Sequence, residues 1–401
     1  MGLVINNNYR DPNKEDIEII ERKGIGHPDT LADKLAEECS RAYANYCMEH
    51  FGCVLHHNFD KFYIGAGCFR YEDGKTNMYS KFKVRLNGRA SNTMNGEMID
   101  IDGIVRPVIK KYIKSVMPRV DVENELDISI NCTQNTKEPK WFSPRDINDV
   151  PDAKELFAND TSLCVSHYPP TFCENLALQI EQYFWEYEDC YPTPRFNDIG
   201  QDIKVMVSRI GKDVTVTICM PVYSDVFKNQ EEYENIVRKY ENDITNYVNG
   251  FDNPDNYNVK IEINRIFNGN YRIYSLIKGS CIECGEEGVV GRGNNSQGLI
   301  ASNRQHTMEA PCGKNERYHT GRVLSFVSER FIKRICEECD LHGTIYVLTR
   351  NKNHLLDPFL SYVSVDKDVD QDTKDRIETI YREEFNEDTY LPKILAKRKL
   401  Y

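Results

Sequence analysis

The sequence predicts an α+β fold, with mostly antiparallel sheets covered by helices on one side. Two observations carry this. First, two alternating runs, Ile203-Val205-Val207 and Val214-Val216-Ile218, flank the turn Gly211-Lys212-Asp213, which predicts a hairpin. Second, strand-like and helix-like stretches follow one another without the regular βαβ alternation of a parallel sheet.

The elements follow in order. From Thr30 to Phe51, Leu31, Leu35, Cys39, Tyr43 and Tyr46 recur at helical spacing. Phe82, Val84 and Leu86 alternate with Lys81, Lys83 and Arg85, the pattern of a strand with one wet face. After the hairpin comes a polar helix over about Asn229–Tyr247, then strands Val259–Ile263 and Arg272–Ile277. A helix from about Gly321 to Glu338 places Val323, Leu324, Val327, Phe331 and Ile335 on one face, and the strand Thr344–Thr349 follows. No sequence repeat is evident. Polar stretches divide the chain into intervals 1–125, 126–250 and 251–401.

Bulk numbers exclude several classes. The chain has 401 residues, 40% of them hydrophobic, enough for two or three packed subdomains. Its net charge is −12, from 51 basic and 63 acidic residues, and this field repels nucleic acid and anionic membrane. No run of 18 apolar residues predicts a membrane span. The start MGLVINNNYRDPNKED has no apolar signal core, and Asn6 replaces the Ser or Thr of a myristoylation site. The expected location is cytoplasmic, where the 14 cysteines stay reduced and act as small apolar residues. The pairs Cys281/Cys284 and Cys336/Cys339 have zinc-ligand spacing, but one sits in a glycine-rich loop and the other on a predicted helix.

Three stretches carry chemistry. In KGIGHPDTLAD, Pro28 suits a first helical turn and Asp29 or Thr30 can cap it. One reading is a well-capped helix with an incidental histidine. The other uses Gly24 and Gly26 to admit a ligand, Asp29 to hold Mg²⁺ and His27 to donate to a developing anion. The second stretch, GSCIECGEEGVVGRGNNSQG, reads either as a surface loop or as backbone N–H groups offered to phosphate, with Arg292 adding a forked contact. It fits no Walker or dinucleotide pattern. The third, EAPCGKNERYHTGR, sets Lys314 ahead of a helix N-terminus, an arrangement suited to a polyanion or simply to solvated charge. The pair His56/His57 in LHHNFDK is more simply polar packing than a metal site.

Taken together, ERKGIGHPDTLAD, LHHNFD, NGRAS, ANDTS, GEEGVVGRGN, GLI, MEAPCGKN and HTGRV, in this order, resemble the S-adenosylmethionine synthetase family, in its archaeal-type branch. The resemblance implies three similar α+β subdomains that interleave into one catalytic unit. It also implies ATP and L-methionine as substrates, Mg²⁺ (two per site) and K⁺ as cofactors, and a homodimer with active sites at the interface. By resemblance, His27 donates to the departing triphosphate and Asp29 holds Mg²⁺, with Glu21 as an acidic position of the same site. Gly291, Arg292 and Lys314 match phosphate-binding positions, and Asp160 contacts the nucleotide or its metal. Glu286 and Asp60 fall at the methionine side.

This chain departs from the branch at four places. Glu286-Glu287 replaces Asp-Asp, and Asn295 replaces an arginine. Tyr71–Lys75 (YEDGK) stands where a triple-glycine loop is expected. No Gly-Gln-Gly-Ser stretch occurs near Ile130–Glu138. A longer acid at 286 predicts a crowded or shifted amino-acid substrate.

Overall fold

The computed structural model describes residues 2–133, 139–150, 155–188, 191–266 and 268–396. Part of the 130–138 stretch therefore lies outside the described residues. The helices are α1 (Pro28–Phe51), α2 (Ile101–Val116), α3 (Phe172–Gln182), α4 (Gln230–Val248), α5 (Thr320–Cys339), α6 (Gln371–Glu384) and α7 (Glu387–Ala396).

Three sheets repeat one plan, as the resemblance implies. In the first, strands His57–Gly65 and Phe82–Ala90 pair antiparallel, and Leu126–Thr133 adds in parallel after α2. In the second, Lys204–Ile210 and Asp213–Cys219 form the hairpin, and Asn258–Ile263 adds in parallel after α4. In the third, Gly343–Leu348 and Leu360–Val365 pair antiparallel. Its parallel edge, however, is Leu3–Asn6 from the other end of the chain. Each sheet then gains an antiparallel strand from a distant segment: Glu287–Val289, Ile17–Lys23 and Leu163–Tyr168 respectively. The plan is invisible as a sequence repeat because only topology and burial are repeated.

Helices α1, α3 and α5 each lie on one sheet. Burial alternates along the strands, as in Asp213–Cys219, where Val214, Val216 and Ile218 face inward. The first two sheets share a continuous core, while α5 and the third sheet build their own. The second sheet leaves an apolar stripe outside, with Ile17, Ile19, Met206 and Ile210 exposed.

Local chemistry explains most boundaries. The hairpin turns through Gly211 at φ +58°, where a side chain would be strained. Asn229 caps α4 by accepting from the Glu232 N–H at 2.9 Å. YEDGK becomes a second hairpin, pairing Glu72 with Lys75 across Asp73-Gly74, both at positive φ. Two expectations change. Of Arg272–Ile277, only Ser275–Leu276 pairs as a strand. Helix α1 is capped not by Asp29 or Thr30 but by His27, whose Nδ1 accepts the Asp29 N–H at 3.2 Å. Pro28 then occupies the first helical position, so the cap must stand one residue before it.

Candidate active site

The loop before α1 opens onto a cavity of about 950 Å³, whose lining includes His27, Asp29, Lys204, Glu286 and Arg292. It lies where the first two sheets meet the glycine-rich segment. Gly24 and Gly26 are needed here for packing rather than for ligand approach. A Cβ on either would fall within 2.4 Å of the Ile203 or Gln201 carbonyl oxygen. Buried Glu181 holds the same loop, accepting the Ile25 N–H at 2.9 Å and pairing with Arg22 at 3.0 Å.

His27 has one defined tautomer. A backbone N–H can only donate, so Nδ1 is the acceptor and the ring proton sits on Nε2. Burial pushes its pKa down to about 4, opposed by the Asp29 charge and reinforced by Lys23. At neutral pH the cavity therefore meets a neutral N–H donor.

The glycine-rich loop is clamped to the start of α1. Asp29 accepts the Val289 N–H at 3.2 Å and Asp33 accepts the Gly291 N–H at 2.7 Å. Lys23 Nζ donates to the Arg292 carbonyl at 2.6 Å and to Asp29 at 3.1 Å. Gly288 packs on the Pro28 carbonyl so closely that a Cβ would lie 1.9 Å away. These contacts correct the expected amide cradle. The loop's N–H groups at 289 and 291 are taken by carboxylates of the protein, so what the loop offers a ligand is the exposed Arg292 guanidinium.

Not all the sequence candidates come together. Glu21 pairs with Lys204 at 3.0 Å beside the cavity. Lys314, Asp60 and Asp160 form a second cluster and do not line the cavity. Buried Lys314 is ion-paired with Glu309. Burial pulls its pKa down to about 8 while Asp60 and Asp160 push it back. Asp60 also pairs with Lys61 at 2.8 Å. Nearby, His57 is packed between Ser40 Oγ (2.8 Å) and Glu316 (3.3 Å), and His56 stacks on Tyr318.

Sequence reading passed over Asp202, Lys204 and Tyr274, which also line the cavity. Asp202 is buried, which raises its pKa to about 6 against the hydrogen bond from the Cys281 N–H. The one available signal was alternation: Lys204 precedes inward Val205, so it belongs to the opposite face. Among the described residues, no three His, Cys, Asp or Glu side chains converge to hold a metal ion. The four CxxC thiols do not meet: Cys281 contacts Tyr274 at the cavity, and Cys336 lies in the third-sheet core. Asp29 offers a hard oxygen donor at the cavity, which fits an ion that arrives bound to phosphate and keeps most of its own ligands.

A family profile described as S-adenosylmethionine synthetase (AdoMet synthetase) matches residues 3–399. The chain belongs to the S-adenosylmethionine synthetase family. Similar proteins include an uncharacterized protein of Streptococcus pyogenes serotype M3, 37% identical over 93% of this chain and 91% of its own. An S-adenosylmethionine synthase of Methanosarcina barkeri is 32% identical over 83% of this chain and 81% of its own. That of Caldivirga maquilingensis is 29% identical over 99% and 98%. A solved structure titled as an unusual S-adenosylmethionine synthetase, from Campylobacter jejuni, has the same fold. It superposes with a TM-score of 0.54 at 14% identity, covering 96% of this chain and 95% of that one. Among the described residues of this synthetase-family chain, no helix is long and apolar enough to cross a membrane.

Proposed function

We propose that this family member is a methionine adenosyltransferase, making S-adenosylmethionine, phosphate and diphosphate from ATP, L-methionine and water. The observation that carries this reading is a neutral Nε2–H donor at His27 sharing one cavity with the uncommitted Arg292 guanidinium.

The chemistry asks for little else. The methionine sulfur uses a lone pair to form a bond to C5′ while the C5′–O5′ bond breaks, and triphosphate leaves with the electron pair. A thioether is already a nucleophile, so no base is required. Charge gathers on O5′ only as that bond breaks. A donor beside it therefore stabilises the transition state more than the ground state. In this reading His27 is that donor and Arg292 holds the polyphosphate, with Gly291 setting the backbone that carries it. Asp29, with Glu21 behind it, would hold Mg²⁺. The ion supplies charge neutralisation to the triphosphate, and K⁺ is the monovalent ion the family resemblance implies. Water then hydrolyses the bound triphosphate, with Lys314 and Asp160 assigned to its far end. Glu286, at the cavity wall, faces the amino acid, while Asp60, beside Lys314, goes with the far end of the triphosphate instead of the methionine side the resemblance implied. The exposed apolar stripe Ile17, Ile19, Met206 and Ile210 supports a homodimer through the second sheet.

A relaxed or shifted amino-acid preference is the second reading. It is favoured by exposed Glu286, one methylene longer than the branch's aspartate, at the cavity wall. Incubation with ATP, Mg²⁺, K⁺ and either methionine or its S-alkyl analogues tests both. Sulfonium product with phosphate and diphosphate from methionine is the expected result. Phosphate release without sulfonium from any of them would reduce the activity to triphosphate hydrolysis, and release of neither would leave a non-catalytic subunit.

A further inference from the structure

Helix α1 carries Asp29, Asp33 and Glu37 at four-residue intervals, so the three carboxylates lie along one face of the helix. Each accepts a backbone N–H from a glycine-containing loop outside the helix. Asp29 takes that of Val289 at 3.2 Å, Asp33 that of Gly291 at 2.7 Å and Glu37 that of Gly313 at 3.2 Å. The last two donors share a detail: Gly291 immediately precedes Arg292, and Gly313 immediately precedes Lys314. Both glycines have positive φ, +87° and +73°, so each loop turns at the residue the helix grips.

The grip is close and buried. Asp33 and Glu37 are 1% and 2% exposed. Burying a carboxylate costs free energy unless strong donors meet it. Asp33 meets loop amides, and Glu37 meets Gly313 and the Arg322 guanidinium of α5. Neither loop can move outward without costing a buried carboxylate its amide donor, and neither can press inward. A Cβ at Gly293 would lie 2.0 Å from the Asp33 Oδ2, and one at Gly313 2.9 Å from the Phe59 carbonyl oxygen.

We infer that Asp33 and Glu37 are positioning residues, which use successive turns of α1 to set Arg292 and Lys314 in fixed register for a polyphosphate. The inference rests on the proposed function for the identity of that ligand. One helix thus carries the leaving-group donor at its first cap and the anchors of both cations on its next turns. Neither carboxylate pairs with the cation it positions: Asp33 and Glu37 accept the glycine N–H one residue before Arg292 and Lys314, and Lys314 itself pairs with Glu309.

Calorimetric titration with inorganic triphosphate and Mg²⁺ tests this in the full-length protein. The variants are Asp33→Asn, Glu37→Gln, Arg292→Ala, Lys314→Ala and the doubles Asp33→Asn/Arg292→Ala and Glu37→Gln/Lys314→Ala. Each positioning variant should weaken binding about tenfold, as expected for losing a buried hydrogen bond. It should add almost nothing once its own cation is gone, since the two then act as one unit. Equal multiplication of the losses in the cognate doubles, or wild-type binding by both single variants, would overturn the inference. Where Asp33→Asn does not fold, Asp33→Ser and the independent Glu37 arm carry the same comparison. Wild-type protein that binds triphosphate but makes no sulfonium from methionine or its S-alkyl analogues would overturn the synthetase reading while the positioning test stands. Wild type that binds no triphosphate would overturn both.

Discussion

The two cation-bearing regions differ in how they hold charge. Arg292 is exposed, at the wall of an open cavity, and its neighbour His27 is neutral. Lys314 is buried, ion-paired with Glu309 and flanked by Asp60 and Asp160, with its pKa lowered to about 8 mainly by desolvation. The first region is poised to receive an anion. The second must exchange a partner to do so. An exposed guanidinium makes little difference to folding. A buried, ion-paired ammonium is part of the fold.

Replacing His27 should have the largest effect and would break the first half of this contrast. His27→Ala should lower the rate of sulfonium formation about 10²–10³-fold with ATP still bound, as for removal of one preorganised donor. His27→Asn keeps an N-cap acceptor for the Asp29 N–H, so it should restore helix stability but not rate. Near-normal turnover in either variant removes the donor role.

The next effect sharpens the contrast directly. Lys314→Met strands Glu309 and should cost about 3 kcal/mol of stability, read as a melting temperature several degrees lower. Arg292→Met should leave melting within about 0.5 kcal/mol of wild type while raising the KM for ATP. Equal melting losses in the two variants would erase the distinction.

A smaller effect is expected at the amino-acid side. Glu286→Asp should change the ratio of kcat/KM between methionine and S-ethyl homocysteine by about tenfold or less, the range one methylene commands. An unchanged ratio would place Glu286 outside the specificity pocket.

The smallest is an absence of effect. Folding depresses the His27 pKa from about 6.5 to about 4, so the neutral donor is already present above the ordinary value. Its contribution to stability is complete above about pH 6.5 and is lost as pH falls from there through about 4. The rate should therefore show no His27 step between pH 6.5 and 8, and the ring proton signal followed by NMR should not titrate in that interval. A titration near pH 6.5 would mean the imidazole is solvated.

Much of the fold was legible because it is local. The α1 and α5 periodicities, the 204–219 hairpin and the polar helix after it all depend on residues a few positions apart. His27, Asp29 and Arg292 were singled out by type and spacing and Glu286 by family resemblance, and the fold brings all four to one cavity. Lys204 and Asp202 were not, because a strand's polar face says nothing about which loop it will meet. The packing role of Gly24 and Gly26 was not legible for the same reason: a missing Cβ admits a ligand and a neighbouring segment equally well.

What the sequence by itself determined was the kind of chemistry and the local elements that bear it, since caps, turns and helical faces are set by neighbours along the chain. Tertiary structure alone decided that Leu3–Asn6 completes the third sheet, that the amides of Val289 and Gly291 are taken by carboxylates of α1, and that Lys314 is buried against Glu309 while Arg292 lines the cavity. Those outcomes depend on contacts between segments separated by hundreds of residues. There, burial and hydrogen-bond satisfaction over the whole molecule, rather than any local preference, select the arrangement.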